Sequence, residues 1–254
     1  TTIVRLLVSA LLIIAAIVGF VVGDNRLSST RPDARPGIAV LRNTIQALQP
    51  GDSVILAVEY GLAETAEMQP IAETLTEHLA ERQVKVIAVS TLPEGVGLIH
   101  ELLEASEVTN QLPEGTPPYL SGTYSGIANF LKPYHDEQEG PLLLVLASRA
   151  DRLRWWVEQN NVSQKPLPMG VAVSASIGPR VAPYFNAESI QGWLVGLSDM
   201  VAYREFNGDS LRIVDHVLDF GRMLDALLLT HWAASGLILC GLLYTLAAGK
   251  KGTR

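Results

Sequence analysis

The residues best equipped for chemistry are few. The histidines, His78, His100, His135, His216 and His231, show no HxxxH or HxH pairing, and the single cysteine, Cys240, joins none of them. No zinc-type ligand set follows from such spacing. His135-Asp136 sits in an acidic turn (KPYHDEQEG) and reads as solvated rather than cation-binding. No GxSxG elbow, Walker A loop or GxGxxG motif is present. After the second apolar run, TLPEGVG offers only Gly95 and Gly97, with Pro93 where a dinucleotide loop would turn. Glu59 has the chemistry of a general base, but a lone carboxylate lacks the partner that acid–base work needs. The sequence therefore assigns no catalytic residue, metal or cofactor, and predicts a protein that is not an enzyme.

What remains is a set of small polar side chains at the ends of apolar runs: Glu59-Tyr60, Ser90-Thr91, Ser148-Arg149 and Ser174-Ala175-Ser176. If the runs are parallel strands, their carboxyl ends form one rim where open α/β sheets bind ligands. Glu59, Ser90, Ser148, Arg149, Ser174 and Ser176 are accordingly candidate ligand-binding residues. Ser148 to Asp151 could make an anion-binding corner, Arg149 giving paired hydrogen bonds to a carboxylate. In the competing reading Ser148 caps the next helix and Arg149 is solvated.

The elements that would position this rim are legible as hydrophobic patterns. Residues 141–176 read as strand, helix and strand: 142–147, a helix from Asp151, and 171–175. Runs apolar on both faces belong to a parallel sheet covered on both sides. Two further strands are predicted at 53–60 and 84–90. Helices are predicted at 38–48, 70–82 with Pro70 in the first turn, 94–105, 125–131 and 187–204. The last is marked by a stripe of Ile190, Leu194, Leu197 and Val201. The Pro- and Gly-rich stretch 106–124 reads as a long functional or mobile loop, and 132–140 and 177–186 as connections. This alternation predicts an α/β fold, a small three-layer sandwich with a mainly parallel sheet of about four strands.

The ends differ. Residues 3–22 and 226–248 are almost wholly apolar, within a chain of mean hydropathy +0.24. Each approaches the ~20 residues that cross a bilayer as a helix. The first is longer than a signal core and carries no small-x-small cleavage site. The organisation expected is a transmembrane helix at 1–23, a stalk at 24–37, a Rossmann-like α/β domain at 38–210, an amphipathic helix at 211–225, a second transmembrane helix at 226–248 and a basic tail at 249–254. The tail (KKGTR) favours both termini in the cytoplasm and an extracytoplasmic domain, against Arg26, Arg31 and Arg35. With Arg5, Lys250, Lys251 and Arg254 set aside, 15 basic residues face 26 acidic ones, a net charge of −11. Such a domain is a poor nucleic-acid partner. Cys240 falls in the second apolar run, so the domain has no disulfide.

Exposed aromatics point to protein contacts. Adjacent helical residues diverge by about 100°, so Trp156 is expected in the core and Trp155 partly outside. Trp155, Tyr119, Tyr124 and Trp232 are the candidate interface residues, and Tyr134 is a further one.

The stretches AVSTLPEGV (88–96) and VAPYFNAESIQGWLVGLSDMVAY (181–203) resemble an uncharacterised family of bacterial membrane-anchored Rossmann-like α/β proteins with a transmembrane helix at each end. The resemblance implies that architecture and no activity. The helix after the last strand also resembles a half-domain of periplasmic sugar-binding proteins, without the second lobe of a closing trap. The function expected is a non-enzymatic membrane-anchored subunit or scaffold that docks membrane-protein partners or forms a homo-oligomer, held to the lipid bilayer by both helices. The alternative is a small-molecule sensing or binding domain that uses the strand-end rim.

Overall fold

A computed structural model of the chain describes residues 2–22, 36–136, 140–185, 190–207 and 225–239, with the side chains of the first helix described over 8–21. The chain divides into two units: residues 31–212 form one, and 1–30 with 213–254 the other.

In the larger unit the apolar runs pair as expected. Strands β1 (Ser53–Glu59), β2 (Lys85–Val89), β3 (Leu142–Ala147) and β4 (Met169–Val173) are joined by a fifth, β5 (Gly192–Val195), in a parallel sheet of order β2-β1-β3-β4-β5. The register is continuous, with Val54 beside both Val86 and Leu142, and Leu144 beside Gly170. This is a doubly wound order, and the direction of strand addition reverses between β1 and β3. Helices α2 (Pro36–Ala47), α3 (Thr65–Glu81), α4 (Pro93–Ala105) and α8 (Gly196–Asn207) cover one face. Helices α5 (Tyr124–His135), α6 (Ala150–Asn161) and α7 (Gly178–Phe185) cover the other, burying Phe130, Leu153, Trp156 and Val181 against Ile55, Val145 and Val171. The α/β sandwich is as predicted, with one strand more.

That strand was hidden in the predicted helix 187–204. Its three apolar residues, Trp193-Leu194-Val195, fit either period, and a short apolar run does not choose between them. Gly192 decides it, because a Cβ there would lie 2.3 Å from the Leu41 backbone nitrogen. Only a bare backbone lets α2 lie this close to the sheet edge. Gly196, at φ +69°, then turns the chain into α8.

Three other boundaries moved. Helix α3 starts at Thr65, so Pro70 lies inside it, and Thr74 Oγ1 donates to the Pro70 carbonyl at 2.8 Å. Helix α5 runs on through Pro133 to His135, and α7 replaces part of the loop predicted at 177–186. The long 106–124 segment seals the exposed edge of β2. Asn110 donates from Nδ2 to the Ala88 carbonyl at 3.0 Å and accepts the Ala88 N–H at 2.9 Å. Further on, Ser90 N–H reaches the Pro118 carbonyl and Leu120 N–H the Ser90 carbonyl, both at 2.8 Å. An open strand edge is a template for unwanted pairing, and this loop occupies it.

The smaller unit holds α1 (Thr2–Val22) and a helix at 225–239, α9. Gly19 is buried against Ala226, where an added Cβ would fall 2.5 Å from the Ala226 Cα. Among the described residues, no helix is long and apolar enough to cross a membrane. This finding corrects the expected pair of transmembrane helices and the cell-membrane location that followed from them. Most of the stalk, almost all of the amphipathic segment at 211–225, the basic tail and Cys240 lie outside the described residues; the last two stalk positions, 36 and 37, already belong to α2.

Candidate functional site

The crevice at the reversal point is bounded by the carboxyl ends of β1 and β3, with β2 alongside. Glu59 closes β1 and is fully buried. Its Oε1 accepts the Thr91 backbone N–H at 2.9 Å and the Trp156 indole N–H at 3.0 Å, and its Oε2 accepts the Thr91 hydroxyl at 2.6 Å. Burial pushes the carboxyl above the usual carboxylate range, while Thr91, Trp156 and the charge of Arg152 pull it back. Arg152, in the first turn of α6, donates from Nη1 to Thr91 Oγ1 at 2.8 Å. Its guanidinium carbon also lies 4.6 Å from the centre of the Trp155 ring, within cation–π range. Thr91 is thus a relay: its hydroxyl donates a hydrogen bond to Glu59 and accepts one from Arg152.

Two polar atoms at this end of the sheet have no partner. Ser148 Oγ and Arg152 Nε are both buried and without a hydrogen bond. Ser148 is the first residue after β3 and only 7% exposed. An unsatisfied buried polar group costs about 1–3 kcal/mol. Ser148 does not cap α6. The N-cap is Arg149, whose side chain gives no capping bond. Arg149 instead grips Asp151 through Nε at 3.2 Å and Nη2 at 2.9 Å, in a pair open to solvent. The Asp151 carboxyl feels partial burial, but Arg149 outweighs it and holds the group below its ordinary value.

The remaining rim residues are placed as follows. Ser90 is buried and committed, its Oγ donating to the Val58 carbonyl at 2.5 Å and accepting the Leu92 N–H at 3.0 Å. Ser174 Oγ lies 2.8 Å from the exposed Ser176 Oγ and 3.5 Å from the Ser148 carbonyl. Glu67, from the first turn of α3, accepts the Ala175 N–H at 2.7 Å and ties α3 to the end of β4. The predicted set therefore splits, with Glu59 and Ser148 at the crevice, Arg149 turned to Asp151, and Ser174 and Ser176 paired beyond it.

Sequence reasoning placed Thr91 at the rim but did not single it out, and it missed Arg152 altogether. The usable signal was position: a cation in the first turn after β3, beside a tryptophan pair. Trp156 is fully buried and Trp155 partly so, as the helical geometry predicted. Tyr119 and Tyr124 are 38% and 45% exposed, and Tyr119 lines a groove of about 540 Å³ between the edge-sealing loop and α5. Tyr134 lines the same groove but is buried. Trp232, 72% exposed, belongs to the smaller unit. Among the described residues no group of His, Cys, Asp and Glu could hold a metal ion.

A second buried polar cluster joins α2, α3 and α8. His78 has Nδ1 2.6 Å from the Tyr203 hydroxyl and Nε2 3.0 Å from Gln46 Oε1. Gln46 Oε1 can only accept, so Nε2 carries the proton and Nδ1 accepts from Tyr203. Burial, with Arg42 and Arg82 nearby, pushes the imidazole down to about 4. It is neutral and fully engaged.

No family model, curated protein or solved structure matches the chain.

Proposed function

We propose that the larger unit is a binding domain that seats a small molecule in the crevice between the carboxyl ends of β1 and β3. The observation that carries this reading is the Glu59–Thr91–Arg152 relay, which holds a partly exposed arginine in the first turn of α6. Fixing an arginine costs side-chain entropy, and ligands are where such preorganisation is recovered. The domain binds without transforming its ligand. Both Glu59 oxygens already accept hydrogen bonds and are sealed from solvent, so Glu59 positions Arg152 and is not a base. Thermal shift of the full chain against a metabolite library tests the proposal. A stabiliser is expected whose effect disappears in Arg152→Ala and survives in Arg149→Ala; stabilisers indifferent to Arg152 would defeat it.

A second reading, docking or self-assembly, draws support from Tyr119, which lines the groove, and from the exposed Tyr124 at the start of α5. Tyrosines at a groove suit a protein partner. Sedimentation of wild type against Tyr119→Ser/Tyr124→Ser should then show loss of an oligomer. A monomer in both cases removes self-assembly.

A further inference from the structure

Resting on that reading of the crevice, we infer that the ligand is recognised through a single carboxylate, taken up by Arg152 and Ser148 at the amino end of α6.

Three independent features of the crevice point the same way. Helix α6 is 12 residues long and begins without a side-chain cap, so its first-turn amides present positive potential. One residue before its N-cap stands Ser148, whose buried hydroxyl has no partner in the protein. Within its first turn stands Arg152, with Nη1 committed to Thr91 and a buried Nε that no protein atom satisfies. A helix amino end alone would not define a site. An unsatisfied serine hydroxyl and an unsatisfied arginine Nε, four residues apart in the chain, flank that helix end and supply the donors of the inferred site. A carboxylate offers two oxygens with lone pairs in one plane, which suits an arginine edge and a hydroxyl together.

Charge limits the acceptor to one unit. Arg149 is balanced by Asp151, leaving Arg152 as the cation of the corner. Two residues beyond β1, Gly61 donates to Glu64 Oε2 at 3.0 Å and lies against Glu94, so the segment that follows β1 is acidic. A doubly charged phosphate would meet these carboxylates with one positive partner, whereas a monoanion matches it. The buried Glu59 behind Thr91 completes the argument, because it fixes the guanidinium without donating to the ligand.

The test uses the full chain and probes that differ only in headgroup. Benzoate, benzamide and phenyl phosphate, together with acetate and acetamide, are titrated while backbone amide shifts are followed by NMR. The carboxylates are expected to move the amides of Thr91 and of residues 148–152. Their neutral amides should bind at least tenfold more weakly, and phenyl phosphate no better than benzoate. Ser148→Ala should weaken carboxylate binding at least tenfold while leaving the unfolding midpoint unchanged or raised, since it deletes an unsatisfied hydroxyl. Arg152→Gln should abolish binding, and Arg152→Lys should restore part of it, which guards against a variant that misfolds. Amides that bind the rim as tightly as carboxylates would overturn the carboxylate inference and leave the crevice as a binding site. Binding of phenyl phosphate above benzoate would overturn the monoanion. Probes that move no rim amide would overturn both readings.

Discussion

The larger unit contains two buried polar clusters, and they end differently. Around His78 every ring nitrogen is taken, by Gln46 of α2 and Tyr203 of α8, and the charge has been expelled from the imidazole. Around Glu59 the chain of hydrogen bonds runs outward through Thr91 and stops at Arg152, beside atoms that have no partner. The first cluster is a closed staple between the helices that begin and end the domain. The second is open at one end. A buried polar network that is fully satisfied adds rigidity and specificity of packing, whereas one that terminates in unsatisfied donors is where the proposed ligand would complete it.

The contrast breaks most visibly at Glu59. Glu59→Ala strands the Thr91 and Trp156 donors in the interior and opens a cavity. Urea unfolding should show a loss of about 3 kcal/mol or more, together with loss of rim binding. His78→Ala should cost about 2–3 kcal/mol through the unpaired Tyr203 and Gln46 groups, yet leave rim binding intact. If His78→Ala abolished binding as well, the two clusters would not be separable in this way.

Their pH dependences should have opposite signs. His78 falls from an ordinary 6.5 to about 4 on folding, so its stabilisation is complete above about pH 6.5 and is lost as pH falls through 4. Glu59 is raised above 4.5, so its contribution is complete below pH 4.5 and is lost as pH rises through its folded value. Unfolding midpoints measured from pH 4 to 8 check this. The advantage of wild type over His78→Gln should shrink towards acid, and its advantage over Glu59→Gln should shrink towards alkali. Parallel trends in the two comparisons would contradict the assigned causes.

The smallest effect is expected at Arg149. Its pair with Asp151 is exposed, and Arg149→Ala should change stability by at most about 0.5 kcal/mol. A larger loss would mean that the corner, and not the relay behind Arg152, is the structural anchor.

Much of this fold was legible because runs of five to seven apolar residues bounded by turn and helix signals suit strands buried on both faces. Leu142–Ala147 and Ser53–Glu59 could hardly be anything else. The fifth strand was not legible, since its identity depends on α2 packing onto Gly192, a contact made across 151 residues between Leu41 and Gly192. The rim was legible as a location for the same reason as the sheet. Its working residues were not, because the relay joins positions 59, 91, 152 and 156 from two strand ends and a helix. Ser148 looked like a helix cap, and only the structure places the cap one residue later at Arg149. The apolar ends misled in another way. Composition measures how greasy a segment is, whereas among the described residues no helix is long and apolar enough to cross a membrane.

The most direct measurement is a crystal structure of the full chain soaked with benzoate. The account predicts its carboxylate against the Arg152 guanidinium and the Ser148 hydroxyl, with the Glu59–Thr91 hydrogen bonds unchanged. Benzoate seated only in the Tyr119 groove, or an Arg152 side chain swung away from Thr91 with no ligand on it, would contradict it.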